Sequence, residues 1–157
     1  MKIELKNVQY AAFSSEETAC YSASLYVDGK KIGVVSNDGH GGCDRFHGDH
    51  AAYDAADAWC RANLPKIVFD GRTPLDADIE TCCARLLDRW LIARDLKRDM
   101  KTKILMRGPD DGRVYSVKHR GKPEETIAGI GKRYAGATIL NCLPFDEALT
   151  IYREALA

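Results

Sequence analysis

The chain has no net charge to spend on partners: 23 lysines and arginines stand against 23 aspartates and glutamates, and the pI is near 6.9. A surface balanced in this way builds no overall basic field, so general binding to DNA or RNA is not expected and any such contact would need a local patch. Long apolar runs are missing too. Nothing approaches the roughly eighteen consecutive apolar residues of a membrane span, so no membrane partner is expected. The opening Met1-Lys-Ile-Glu-Leu-Lys6 alternates charged and apolar side chains, with neither the apolar stretch nor the small-residue cleavage site of a secretory signal. The expectation is a cytoplasmic protein.

The familiar signatures of chemistry are absent as well. There is no Gly-x-Ser-x-Gly, no His-Glu-x-x-His, no Cys-x-x-Cys, no P-loop and no Gly-x-Gly-x-x-Gly. Six cysteines are present, but a reducing compartment and the adjacent pair Cys82-Cys83 argue against a disulfide framework, so free and mostly buried thiols are expected.

What is present is periodicity. A length of 157 residues suits a single domain, 1–157, burying roughly two-thirds of its unfolded surface. Residues 2–10, 20–27 and 31–36 alternate with period two, and Asp28-Gly29 supplies a two-residue hairpin turn, which predicts a three-stranded antiparallel meander at the N-terminus. Two central helices follow. One runs from Asp49 to Asn63; the other runs from Pro74 to Thr102, with Ile79, Cys82, Cys83, Leu86, Trp90, Ala93 and Leu96 as its inward stripe. Between them lies a short apolar run, Ile67-Val-Phe69, closed by Asp70-Gly71.

The remainder reads as a C-terminal ββαβα segment: strands at 103–107 and 113–118 around a Pro109-Asp-Asp-Gly112 turn, a helix at 123–134, a strand at 138–141 and a helix at 145–157. The fold class is α+β. Trp59 and Trp90 fall on apolar helical stripes and are expected in the core. Edge strands of the meander would permit a homo-oligomer.

One stretch stands out. Ser36 to His50, SNDGHGGCDRFHGDH, holds three of the four histidines. As a metal site, His40, Cys43, His47 and His50 offer nitrogen and sulfur ligands suited to zinc, although all four lie within eleven residues, where structural sites usually pair two separated clusters. As an anion site, Asn37, Asp38, His40, Gly41 and Gly42 lie between a strand and a helix, where backbone N–H groups converge on phosphate or carboxylate. Arg45 would add a charge-assisted donor and Phe46 a ring to stack on a base. As plain structure, Asn37-Asp38-Gly39 and Gly41-Gly42 are what a sharp strand exit wants.

A second candidate is basic. Between Arg89 and Arg107 seven basic side chains meet only Asp95 and Asp99, and Lys118, His119, Arg120 and Lys122 follow. With Arg107 they would form one surface able to hold a nucleotide or an acidic protein; the bland alternative is a solvated helix face. A Cys43/His40 or Cys43/His47 dyad is the one arrangement that suggests nucleophilic chemistry, and no carboxylate is singled out to orient it.

The segments SEETACYSASLYVDGKKIGVVSNDGHGG (15–42) and PEETIAGIGKRYAGATILNCLP (123–144) resemble small uncharacterised proteins encoded in phages and prophages. The resemblance implies an accessory factor that inhibits a host defence system by binding in the host-cell cytoplasm, without catalysis or cofactor, either sequestering a nucleotide signal or blocking an effector protein. The competing expectation is a zinc- or Cys/His-dependent enzyme centred on residues 36–50.

Overall fold

The alternating pattern of the first third does form antiparallel strands, but four of them rather than three. In a computed structural model, which describes residues 1–68 and 73–156, β1 (Ile3–Tyr10), β2 (Tyr21–Val27), β3 (Lys30–Asn37) and β4 (Arg45–Gly48) pair in chain order into one sheet. The fourth strand lies inside the stretch expected to be loop, in register Ser36↔Arg45, Val35↔Phe46, Val34↔His47 and Gly33↔Gly48. Its four residues are too few to show a period. It is held instead by tertiary fit: a Cβ at Gly33 would come within 2.6 Å of the Phe46 ring, so the bare backbone there is what lets that ring lie across β3. At the β2–β3 hairpin, Asp28 and Gly29 have φ of 48° and 81°, the two-residue turn read from the sequence.

The structured residues divide into two compact units, Met1–Asp88 and Arg89–Ala157, with the division inside α2 (Ile79–Met100). In the first unit, α1 (His50–Asn63) starts where Asp49 caps it, its carboxylate accepting from the Ala52 N–H at 3.1 Å. The second helix begins at Ile79, five residues after Pro74. Asp78 fixes that start by accepting from the Thr81 N–H at 2.8 Å and from its hydroxyl at 2.7 Å, while Asp57 of α1 takes the Ile79 N–H at 2.9 Å. Before it, Ile67 and Leu75 form an isolated antiparallel bridge; Phe69, Asp70 and Gly71 of the expected apolar run lie outside the described residues.

The inward stripe of α2 also differs from expectation. Ile79, Cys83, Leu87 and Leu96 are buried, whereas Cys82, Leu86, Trp90 and Ala93 are half-buried. Trp59 is likewise half-buried, so neither tryptophan is a core residue.

The second unit is built on the sheet β6-β5-β7, all antiparallel, from β5 (Lys103–Arg107), β6 (Val114–Lys118) and β7 (Thr138–Ile139). The central strand is buried on both faces because side chains alternate. Leu105 packs with Leu96, Leu140, Ala148 and Leu149, so α2 and α4 (Phe145–Glu154) cover one face. Ile104 and Met106 pack with Ile130 of α3 (Pro123–Arg133) on the other. β7 is shorter than the 138–141 expected because Asn141 leaves the ladder for a 3-10 turn. Its side-chain oxygen accepts from the Leu105 N–H at 2.7 Å, and its amide donates to the carbonyls of Met100 and Lys103. Among the described residues no helix is long and apolar enough to cross a membrane.

Candidate functional site

The glycine-rich turn after β3 is fastened to the first unit by its own donors and acceptors. Asn37, buried at the end of the strand, accepts from the Thr18 hydroxyl at 2.7 Å and from the Gly39 N–H at 2.9 Å, and donates to the Gly42 carbonyl at 3.2 Å and to Asp44 at 3.1 Å. The Gly39 carbonyl accepts three successive N–H groups, from Glu16, Glu17 and Thr18, at 3.0, 3.0 and 3.3 Å. Gly41 donates its N–H to the Thr18 hydroxyl at 3.2 Å. Gly39 and Gly41 both sit at φ +89°, and a Cβ at Gly39 would strike the Ser14 carbonyl, so no other residue fits there.

The turn is also tied down at its far end. Asp44 accepts from the Tyr21 hydroxyl and gives its backbone N–H to Glu80 at 2.9 Å. Burial, and then the hydrogen bond to Asp44, push the Tyr21 phenol far above its ordinary range, so it stays a neutral donor.

The donors expected to greet an anion are therefore largely used within the loop. Arg45 hydrogen-bonds Asp38. His40 stands 3.4 Å from Glu16. Phe46 stacks on Tyr53 of α1 at 4.3 Å between centroids and meets His50 edge-on at 5.5 Å.

The four candidate metal ligands, His40, Cys43, His47 and His50, are all exposed. Neighbours on a strand point to opposite faces, so His47 projects away from the side on which Phe46 meets His50. Among the described residues no three His, Cys, Asp or Glu side chains gather as a metal centre would need. The cysteines are free: Cys60 and Cys83 are buried, Cys20 and Cys82 half-buried, Cys43 and Cys142 exposed. Burial pushes the Cys60 thiol up to about 12 and Cys83 higher still, which keeps both as inert thiols.

In the second unit the structure gathers part of the basic group and separates the rest. Lys118 lies opposite Lys103 across the β5–β6 ladder. His119 bonds Thr102 through its N–H at 3.2 Å. Its Nδ1 accepts from the Gly121 N–H, which leaves Nε2 to donate to the Lys101 carbonyl at 3.0 Å. Lys101, Lys118, Arg120 and Lys122 thus crowd one corner, beside the electronegative C-terminus of α2, with Lys122 paired to Glu125 at 3.0 Å. Arg107 is not with them. It lies opposite Val114 at the other end of the strands, about 13 Å away along the ladder, and pairs with Glu154.

At that far end lies a feature the sequence did not announce. A pocket of about 350 Å³ opens beside the β5–β6 turn, lined by Met106, Pro109, Asp110, Asp111, Tyr115 and Tyr134 among others. Tyr115 donates its hydroxyl to Asp111 at 2.6 Å, and the other Asp111 oxygen accepts from the Arg113 N–H at 3.1 Å. These bonds, the tyrosine's foremost, hold the Asp111 carboxyl below the usual carboxylate range. Gly108 allows the closure, since a Cβ there would sit 2.7 Å from Asp111 Oδ1 and 3.2 Å from the Tyr115 ring. Pro109-Asp-Asp-Gly112 reads as a turn and nothing more; the only hints were the tyrosines at 115 and 134, which sequence spacing does not join. Compared with known proteins, the chain matches no family model, no curated protein and no solved structure.

Proposed function

We propose that this is a non-enzymatic accessory protein of the phage type, acting inside the host cell, which inhibits a defence system by blocking an effector protein. The observation that carries this reading is the open edge of β6. The ladder pairs 108 with 113 and 102 with 119 through hydrogen bonds, so by alternation Tyr115 and Val117 bond to β5, while Val114, Ser116 and Lys118 aim their N–H and C=O groups outward. Among the described residues no strand lies beyond them in the sheet.

Tyr115 and Val117 are exposed large side chains on the adjoining face, and the edge runs on into Lys118, Arg120 and Lys122. An extended segment of the effector, acidic at the end that meets those cations, would add a strand there, gaining main-chain bonds for affinity and charge for register. Nucleotide sequestration has less support, because the Gly39 and Gly41 N–H groups and Arg45 are already engaged with Asn37, Thr18 and Asp38. The zinc- or Cys/His-dependent reading has less still, because among the described residues no three of His40, Cys43, His47 and His50 gather as a metal centre would need.

The test is a plating assay in defence-bearing cells expressing the chain. Ser116→Pro removes an outward N–H at an edge position that tolerates proline, so the protein should keep its melting temperature and lose protection. Undiminished protection by the Ser116→Pro protein, or a stoichiometric nucleotide in native mass spectra of the freshly purified chain, would overturn the reading.

A further inference from the structure

We propose that the pocket beside the β5–β6 turn binds an organic cation, an ammonium or guanidinium group, between Tyr115, Tyr134 and the carboxylates of Asp110 and Asp111. The argument begins with what lines it. Among the described residues, two acidic side chains and no lysine, arginine or histidine line the cavity, so an anion is repelled, and a neutral apolar guest would strip water from two carboxylates without compensation. A cation compensates both.

The walls suit such a guest. Tyr115 and Tyr134 line the cavity, with Met106 and Pro109 completing an apolar surround, and the face of an aromatic ring attracts positive charge. The Arg133 guanidinium lies over the Tyr134 ring at 5.5 Å from the centroid, so one face of that ring is already engaged and a guest meets the other. Asp111 spends one lone pair of each oxygen on Tyr115 and Arg113, which leaves one on each for a donor in the cavity. The Tyr115 bond keeps that carboxyl ionised, so the site holds its charge across the physiological range. At about 350 Å³ the volume falls at the small end of ligand pockets, which matches a headgroup-sized cation rather than a nucleotide.

The cation belongs either to a free small molecule or to an arginine side chain, and the experiment separates these. Two-dimensional NMR of the intact chain would be titrated with choline, with its uncharged carbon isostere 3,3-dimethylbutan-1-ol, and with N-acetyl-arginine amide. Shifts at Met106 and Tyr115 with choline but not with the isostere are expected, weakening as salt is raised. A response to the arginine amide alone points to a side chain as the natural guest, and a response to choline alone to a free molecule; either supports the site.

Asp110→Asn and Tyr134→Leu, both at exposed positions, should each lower the affinity by roughly threefold to tenfold without moving the melting temperature. Equal binding of choline and the isostere, or binding by none of the three, overturns the proposal. Ser116→Pro alters the opposite side of the strand and should leave cation binding intact, so this site and the β6 edge can fail separately.

Discussion

Asn37 holds more of the first unit together than its size suggests. It is buried, and its one amide serves four partners in the residues around it. Asn37→Ala leaves the Thr18 hydroxyl and the Gly39 N–H short of an acceptor and Asp44 short of a donor, and should cost about 2–4 kcal/mol in urea unfolding. Asn37→Asp should be no better, because it sets a carboxylate against Asp44. Arg45→Ala, by contrast, removes only an exposed pair with Asp38 and should leave the melting temperature where it was. The thiols divide in the same residue-by-residue manner. A thiol reagent at mildly alkaline pH should label Cys43 and Cys142 quickly and reach Cys60 and Cys83 only on unfolding; rapid labelling of Cys83 in the native protein would contradict its burial.

Among the elements, β4 and the start of α2 show where sequence patterns stop informing. Strands of seven or eight residues declared themselves by alternation, and the helix after Asp49 by its alanines and helical spacing. β4 has four residues and exists because Gly33 offers Phe46 a place to lie, a relation between residues thirteen apart that no local window contains. Gly33→Ala should therefore dislodge the ring and speed amide exchange along β4, at about 1–3 kcal/mol.

The start of α2 is legible only in retrospect, from an aspartate three residues before a threonine. Burial works to raise the Asp78 pKa, but the Thr81 N–H and hydroxyl, with Arg61, outweigh it and hold the carboxyl below its ordinary 3.8. Its folded pKa is thus depressed. The stabilisation is present above the unfolded value and is lost as pH falls through the folded one. Between about pH 5 and pH 3 the native protein should lose stability more steeply than Asp78→Asn, and matching slopes would remove Asp78 from the cause.

For the molecule as a whole, periodicity foretold an α+β chain and the lack of long apolar runs foretold no membrane-spanning helix, of which there is none among the described residues; the order of elements was close to what period and capping imply. The sites were less legible. The glycine turn drew notice for its histidines and glycines, but its engaged donors emerge only when Glu16, Glu17 and Thr18 are brought beside Gly39. The pocket joins the β5–β6 hairpin, from Met106 to Tyr115, to Tyr134 at the end of α3, two separate stretches of the chain. Balanced charge has a consequence at this scale too. With no surplus of either sign at its pI near 6.9, the protein should be least soluble around neutral pH, and precipitation by polyethylene glycol should need more polymer at pH 5.5 and 8.5 than at 7; a monotonic trend would contradict that.

The three N–H groups converging on the Gly39 carbonyl have the geometry of an anion receptor, with a piece of the same chain as guest. A tethered guest competes at an effective concentration on the order of millimolar or above, and dilution cannot wash it out. Free phosphate or a nucleotide arriving from solution meets a receptor already in use, and its price of entry is the opening of the turn itself.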